Sequence, residues 1–222
     1  MHEYILHVRL SFNLQNSGEP RQIGSVMFRN LNRQDAYMNP LDPQMFLLLY
    51  FVLPVWLIAG FADWICHRAT NIETTTGLKE TYIHILMFLE MSIPLLSAFF
   101  LDVNALVILS MIVLFFCHEA TALWDVSYAV TARKVSPVEQ HIHSFLEMVP
   151  LMALLLVISR HWGQFQALFG FGNEPARYEL TLRSDPLPTG YIVFVFTSIF
   201  FLEMLPYFEE YRRAKKARDK KA

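Results

Sequence analysis

The chain has 222 residues, of which 54% are hydrophobic and 17% charged, and a formal net charge of −2. It is too apolar for an ordinary soluble domain, too weakly charged for a nucleic-acid binder, and its two cysteines exclude a disulfide scaffold. The composition instead predicts an all-α integral membrane protein, a bundle of about five transmembrane helices.

Residues 1–43 are polar and irregular and read as an N-terminal extension, within which Tyr4 to Phe12 alternates as a short strand does. The opening residues carry charges where a signal peptide has its apolar run. Met38, just before Asn-Pro-Leu-Asp-Pro, is an alternative start.

The transmembrane domain is expected over 44–209. Span one covers 45–65, with Pro54 as a kink. A Thr-rich loop follows and ends with Thr76 as the expected N-cap of span two, 80–101. A tight turn at 102–104 leads into span three, 105–130. Beyond Arg133-Lys134, Ser136 and Pro137 supply a cap and a first-turn proline for span four, 139–159. The loop 160–189 carries Trp162, Phe165, Phe169 and Phe171, residues suited to a membrane interface. Span five covers 190–208, and 210–222 reads as a solvated basic tail. Each run is long enough to cross ~30 Å of hydrocarbon.

The tail's Arg212, Arg213, Lys215, Lys216, Arg218, Lys220 and Lys221 predict a cytoplasmic C-terminus and an N-terminus on the opposite side. Arg9, Arg21, Arg29 and Arg33 fit that orientation poorly, and a start at Met38 removes the conflict.

The ionisable residues then fall into two layers. Asp63 and His67 end span one, Glu80 and His84 begin span two, Asp125 lies near the end of span three, and Glu139 and His143 begin span four. Each of the three carboxylate–histidine pairs is four residues apart and so shares a helix face. Glu90, His118, Glu119, Glu147 and Glu203 form a deeper layer. Three of them sit in repeats of one word, Phe-Leu-Glu-Met, at 88–91, 145–148 and 201–204. His141, two residues from His143, turns away on a helix, and His161 beside Trp162 reads as an interface anchor.

Carboxylates facing hydrocarbon are costly unless something compensates them, and a divalent metal does so together with neutral imidazoles. The pattern resembles the dimetal carboxylate bundle as a class of site, although the spacing there is Glu-x-x-His and here is Glu-x-x-x-His. The expected ligands are Asp63, His67, Glu80, His84, His118, Asp125, Glu139 and His143 for two divalent ions. Iron is favoured, with zinc or manganese as alternatives. Glu90, Glu147 and Glu203 are the expected catalytic carboxylates.

The function expected is a membrane di-iron oxidoreductase acting on a lipid or other hydrophobic small molecule, supplied by an electron-donor protein. A zinc-dependent membrane hydrolase, a cation or proton transporter and a haem-binding electron-transfer subunit are the competing readings. No phosphate-binding loop, serine-hydrolase elbow or cysteine-rich zinc motif occurs, and no nucleic acid is expected as a partner.

Overall fold

The computed structural model describes residues 42–220. The short strand expected at Tyr4 to Phe12 and the alternative start at Met38 lie outside them. Five helices are long and apolar enough to cross a membrane: α1, Pro43–Thr70; α2, Leu78–Phe100; α3, Ala105–Ala132; α4, Pro137–Arg160; and α6, Thr189–Asp219. A short α5, Trp162–Leu168, lies in the connection between α4 and α6. The protein is an all-α membrane bundle. Neighbouring spans pack around a ring: α1 on α4 and α6, α2 on α3 and α6, and α3 on α4.

The bundle is apolar on its outside along its whole length. Ile58, Leu89, Phe116, Leu123, Leu155, Val193 and Phe201 all point outward and are more than half exposed, as suits side chains whose solvent is lipid. One end of the interior is apolar too. Leu53, Leu57, Phe99, Val195 and Ile199 form one buried cluster there, and Val107, Ile108, Met111, Phe115, Leu154 and Ile158 form another. The opposite end of the interior is filled by polar side chains.

Local chemistry explains the helix boundaries. Ser136 accepts from the Glu139 amide at 3.1 Å while the Glu139 carboxylate accepts from the Ser136 amide, so α4 opens on a capping box with Pro137 in its first turn. Asn104 caps α3 through Val107 N–H. Thr76 does not cap α2: its hydroxyl donates back to Ile72 O, and Gly77, at φ +66°, makes the turn into a helix that begins at Leu78. Asn71 ends α1 in the left-handed conformation.

Two helices carry a π-helical turn, Leu48–Val52 in α1 and Phe200–Met204 in α6. A proline follows each, Pro54 and Pro206. The ring of a proline crowds the carbonyl four residues earlier, here Tyr50 and Leu202, and each of these lies inside the widened turn. The kink expected at Pro54 therefore takes the form of a local unwinding upstream of it.

Helix α6 departs most from expectation. It does not stop near 208 but continues unbroken to Asp219. Pro206, Glu210 and Ala214 are buried at helical spacing, so the start of the supposed tail is an inward-facing helix. Arg213 pairs with Glu73 and with Glu209, and Arg68 also meets Glu209, at 2.8 Å.

At the apolar end, the segment after α5 lies against the α2–α3 turn. Arg183 N–H donates to Phe100 O, Asp102 N–H donates to Thr181 O, and the Asn104 side chain donates to Glu179 O. Burial, with Arg160 and Arg183 beside it, lowers His161 from 6.5 to about 4. His161 forms the junction of α4 and α5.

Candidate metal centre

Five elements bring their polar side chains to one end of the bundle. Helix α1 supplies Asp63 and His67, α2 supplies Glu80 and His84, α3 supplies Asp125, α4 supplies Glu139 and His143, and α6 supplies Glu210. All eight are buried, and Glu80 and Glu139 have no exposed surface at all. The alternating direction of the spans causes this convergence, because the ends of α1, α3 and α6 meet the beginnings of α2 and α4.

The centre is built around two stacked histidines. The rings of His67 and His84 lie 4.5 Å apart and are parallel within 7°. Glu210 meets both of them: one oxygen is 3.2 Å from His67 Nδ1, the other 3.1 Å from His84 Nδ1. A carboxylate accepts, so each Nδ1 carries a proton, and in the neutral ring each Nε2 then keeps its lone pair. With the rings parallel and both Nδ1 atoms fixed on one carboxylate, the two lone pairs point to the same side.

Carboxylates stand close to both Nε2 atoms, outside good hydrogen-bond geometry. His84 Nε2 is 3.3 Å from Asp125 Oδ1, and His67 Nε2 is 3.3 Å from Asp63 Oδ2 and 3.5 Å from Glu139 Oε1. Yet His67 Nε2, His84 Nε2 and Asp125 Oδ1 are buried without any hydrogen-bond partner. Buried polar atoms are rarely left so, and each orphan requires a cause. Two atoms bound to one ion at ~2.1 Å, in tetrahedral or octahedral geometry, lie roughly 3.0–3.4 Å apart. The spacing and the missing hydrogen bonds are compatible with atoms that share an ion, and the distances also suit histidine–carboxylate ion pairs.

Among the described residues, three sets of side chains offer ligand atoms close enough together for one ion: Asp63, His67, Glu139 and His143; Glu80, His84 and Asp125; and His67, His84 and Glu210. His143 Nε2 is 2.9 Å from Asp63 Oδ1, which ties α4 to α1. Arg133, just beyond α3, joins the first two sets. Its Nη2 donates at 2.5 Å to Glu80 and at 2.5 Å to Glu139, and its Nε donates to Glu80 at 3.3 Å. Burial alone would lower the guanidinium's pKa, but the Glu139 and Glu80 carboxylates outweigh it and hold Arg133 above its ordinary value. Arg133 is therefore a fixed positive charge.

Of the residues expected from sequence to be ligands, seven meet in these sets, and His118 stands apart. It lies seven residues before Asp125 on α3, ~10 Å deeper at the helical rise. Its closest carboxylate oxygen, Oε2 of Glu90, is 3.9 Å away. Neither His118 nitrogen makes a well-formed hydrogen bond, although the backbone carbonyls of Met87 and Leu146 lie beside the ring. The deeper acids are separate from the centre as well. Glu90 accepts from the Thr121 hydroxyl at 2.9 Å, and Glu203 is buried against Gly60 of α1. A Cβ on Gly60 would lie 2.5 Å from Glu203 Oε1, so the glycine makes room for that carboxylate. His141 is exposed and rests on Phe145.

Sequence reasoning missed Glu210 and Arg133. Glu210 carries a signal that was available: it is seven residues after Glu203 and so on the same face of a continuing helix. Arg133 carries none, since a basic residue between two spans reads first as a topology determinant.

A cavity of about 200 Å³ opens from the centre into the membrane interior. Asp63, His84, Asp125 and His143 form its polar end, and His118, Glu147 and Glu203 line its middle. Trp56, Leu57, Leu95 and Ile199 belong to its apolar end. Comparison with protein-family models, with curated proteins and with solved structures finds no match for this chain.

Proposed function

We propose that this protein is a membrane metalloenzyme whose centre holds two divalent ions, iron foremost, and that it carries out a redox reaction on a hydrophobic substrate. The observation that carries the reading is the set of orphaned, buried lone pairs at His67 Nε2, His84 Nε2 and Asp125 Oδ1, spaced as ligands of common ions.

Charge supports the number of ions. Asp63, Glu80, Asp125, Glu139 and Glu210 bring five negative charges into the bundle, and Arg133 offsets one. Four remain, the charge of two divalent cations, with the imidazoles neutral as ligation requires. The stacked rings of His67 and His84 supply two parallel donors 4.5 Å apart between centroids, compatible with dimetal centres whose ions lie about 3.5–4 Å apart. The donor set supports iron, since it consists of imidazole nitrogen and carboxylate oxygen without thiolate; Cys66 and Cys117 are free and belong to none of the three sets.

Within this reading each residue has a task. Asp63, His67, Glu139 and His143 hold one ion, and Glu80, His84 and Asp125 hold the other. Glu210 orients two imidazoles from behind, and Arg133 ties Glu80 to Glu139. Bound iron supplies the redox chemistry. Glu147 and Glu203, along the cavity wall, would hold or move a proton beside the substrate, and Glu90 stands 3.9 Å from His118. The basic end of α6 supports, by the positive-inside rule, a centre near the cytoplasmic face and within reach of a soluble electron donor.

Elemental analysis of detergent-purified protein with an absorption spectrum tests the proposal. The expected result is about two irons per chain, as in dimetal carboxylate bundles, without the strong Soret band of haem. Protein free of transition metal, or a Soret band, overturns it.

A further inference from the structure

The proposed function leaves the cavity beyond the metal centre without a defined occupant. One wall of the cavity lies between α2 and α6. The Phe88–Tyr207 ring contact closes that seam beside the centre, and the contact of Phe99 and Phe100 with Phe196 closes it towards the apolar end. Between these contacts the wall consists of Ser92 and Leu96 from α2 and Ile199 and Met204 from α6. Leu96 and Met204 line the cavity and are also 41% and 49% exposed on the outer surface of the bundle. In a membrane-spanning segment that surface is lipid. The seam is therefore a side opening from the bilayer interior, and the π-helical turn Phe200–Met204 forms one of its edges.

We propose that the cavity binds a neutral single-chain lipid with a small oxygen-bearing head, an alcohol or aldehyde. The lipid enters sideways between α2 and α6, with its head towards the centre and its tail along Leu95, Leu96 and Ile199. That the head is the reacting end rests on the metalloenzyme reading; the binding mode does not.

The residues lining the cavity select the class. A phospholipid would have to drag a charged headgroup through an apolar seam, and stripping such a group of water costs far more than burial of its chains returns. The seam and the far end of the cavity are apolar and match a hydrocarbon chain. The middle of the cavity is polar, with the His118 imidazole beside the backbone carbonyls of Met87 and Leu146 and neither ring nitrogen in a well-formed hydrogen bond. His118 is buried, 5% exposed, and lines the cavity. A neutral imidazole both donates and accepts, so it can meet a hydroxyl in either role and can donate to a carbonyl oxygen. A carboxylate head would be stripped of water in a cavity whose lining, among the described residues, offers it no lysine or arginine, which disfavours a free fatty acid.

Photolabelling of the metal-loaded full chain with a diazirine-bearing fatty alcohol tests the inference. The expected result is labelling of peptides containing Ser92, Leu96 and Met204, lost on addition of excess unlabelled fatty alcohol and retained with excess phospholipid. Ser92→Trp, eight residues from His84 and outside the centre, fills the seam and should abolish that labelling at unchanged metal content. Label spread over outward residues such as Ile58 and Leu123, or untouched by competitor, overturns the proposal. Equal labelling by a diazirine fatty acid overturns the neutral-head assignment. Metal content is measured in the same samples, which separates the two claims. Competable labelling of metal-free protein refutes the metalloenzyme reading and keeps the lipid site, whereas stoichiometric metal without competable labelling does the reverse.

Discussion

Glu210→Gln changes one atom type in a carboxyl group that is 1% exposed and leaves its volume nearly intact, so packing should survive. The chemistry should not. The carboxylate accepts from His67 Nδ1 at 3.2 Å and from His84 Nδ1 at 3.1 Å. An amide presents one oxygen and one NH₂, so it can accept from only one of the two rings. The other imidazole then faces a donor and must present an unprotonated Nδ1. Its proton moves to Nε2 and occupies the lone pair that faces Asp125 or Asp63. One hydrogen bond to a charged group, about 1.5–3 kcal/mol, is lost at the same time. Groups that orient a ligating histidine typically contribute ~10–100-fold to metal affinity, or about 1.4–2.7 kcal/mol. The variant should therefore keep one tight ion and release the second. The assay is metal content per chain by mass spectrometry after timed exposure to a chelator, with Glu209→Gln as control. Glu209 is adjacent in sequence but lies at the edge, paired with Arg68 and accepting from Trp64 Nε1 at 3.1 Å. If Glu210→Gln holds both ions and loses them to chelator no faster than the parent protein, Glu210 does not set the histidine tautomers and the ligand assignment fails.

Other expectations follow from the same geometry. Arg133→Ala strips the guanidinium from two carboxylates that have no exposed surface; breaking such a pair typically costs about 3–5 kcal/mol. A lowered melting temperature in detergent checks this, and Arg133→Lys should recover only part of it, because an ammonium cannot fork across Glu80 and Glu139. Gly60→Ala forces the Glu203 carboxylate to move, so the helix-propensity gain of about 1 kcal/mol that such a change usually brings should be reduced or reversed. Adding Glu203→Ala should restore that gain, and strict additivity of the two substitutions would contradict the contact. His161, lowered from 6.5 to about 4 by burial with Arg160 and Arg183 nearby, stays neutral in the folded state across that interval. The unfolded chain takes up the proton first, so its contribution to stability is intact above pH 6.5 and is lost as pH falls towards 4. An NMR titration of the His161 ring that places its midpoint near 6.5 would contradict this.

The spans were legible because membrane helices must be long and continuous in hydrophobicity. The three pairs Asp63–His67, Glu80–His84 and Glu139–His143 were legible because four-residue spacing fixes a common face whatever the partner helix is. Asp125 was legible by depth alone. Glu210 was obscured by its setting, since Glu-Glu-Tyr-Arg-Arg-Ala-Lys-Lys has the charge density of a solvated end. Only the packing of α6 between α1 and α2 shows that one face of that stretch is internal. Arg133 was unreadable for a different reason: the burial of a loop residue depends on which acids the fold places around it. His118 shares a face with Asp125, and the sequence could not say that two helical turns are too far for a common ion.

Glu139 has a further consequence. Its carboxylate closes the capping box of α4 and, in the same position, accepts from Arg133 and stands 3.5 Å from His67 Nε2. The first turn of α4 and the interior of the bundle therefore share one side chain. Fraying of the helix start removes a group from the centre, and drawing Glu139 inwards weakens the cap. The amide hydrogens of Ser136 and Glu139, which donate into that box, are thus built-in reporters. Their exchange rate with heavy water should slow on occupation of a centre they never touch, and hydrogen exchange could follow metal loading without any label on the metal or the substrate.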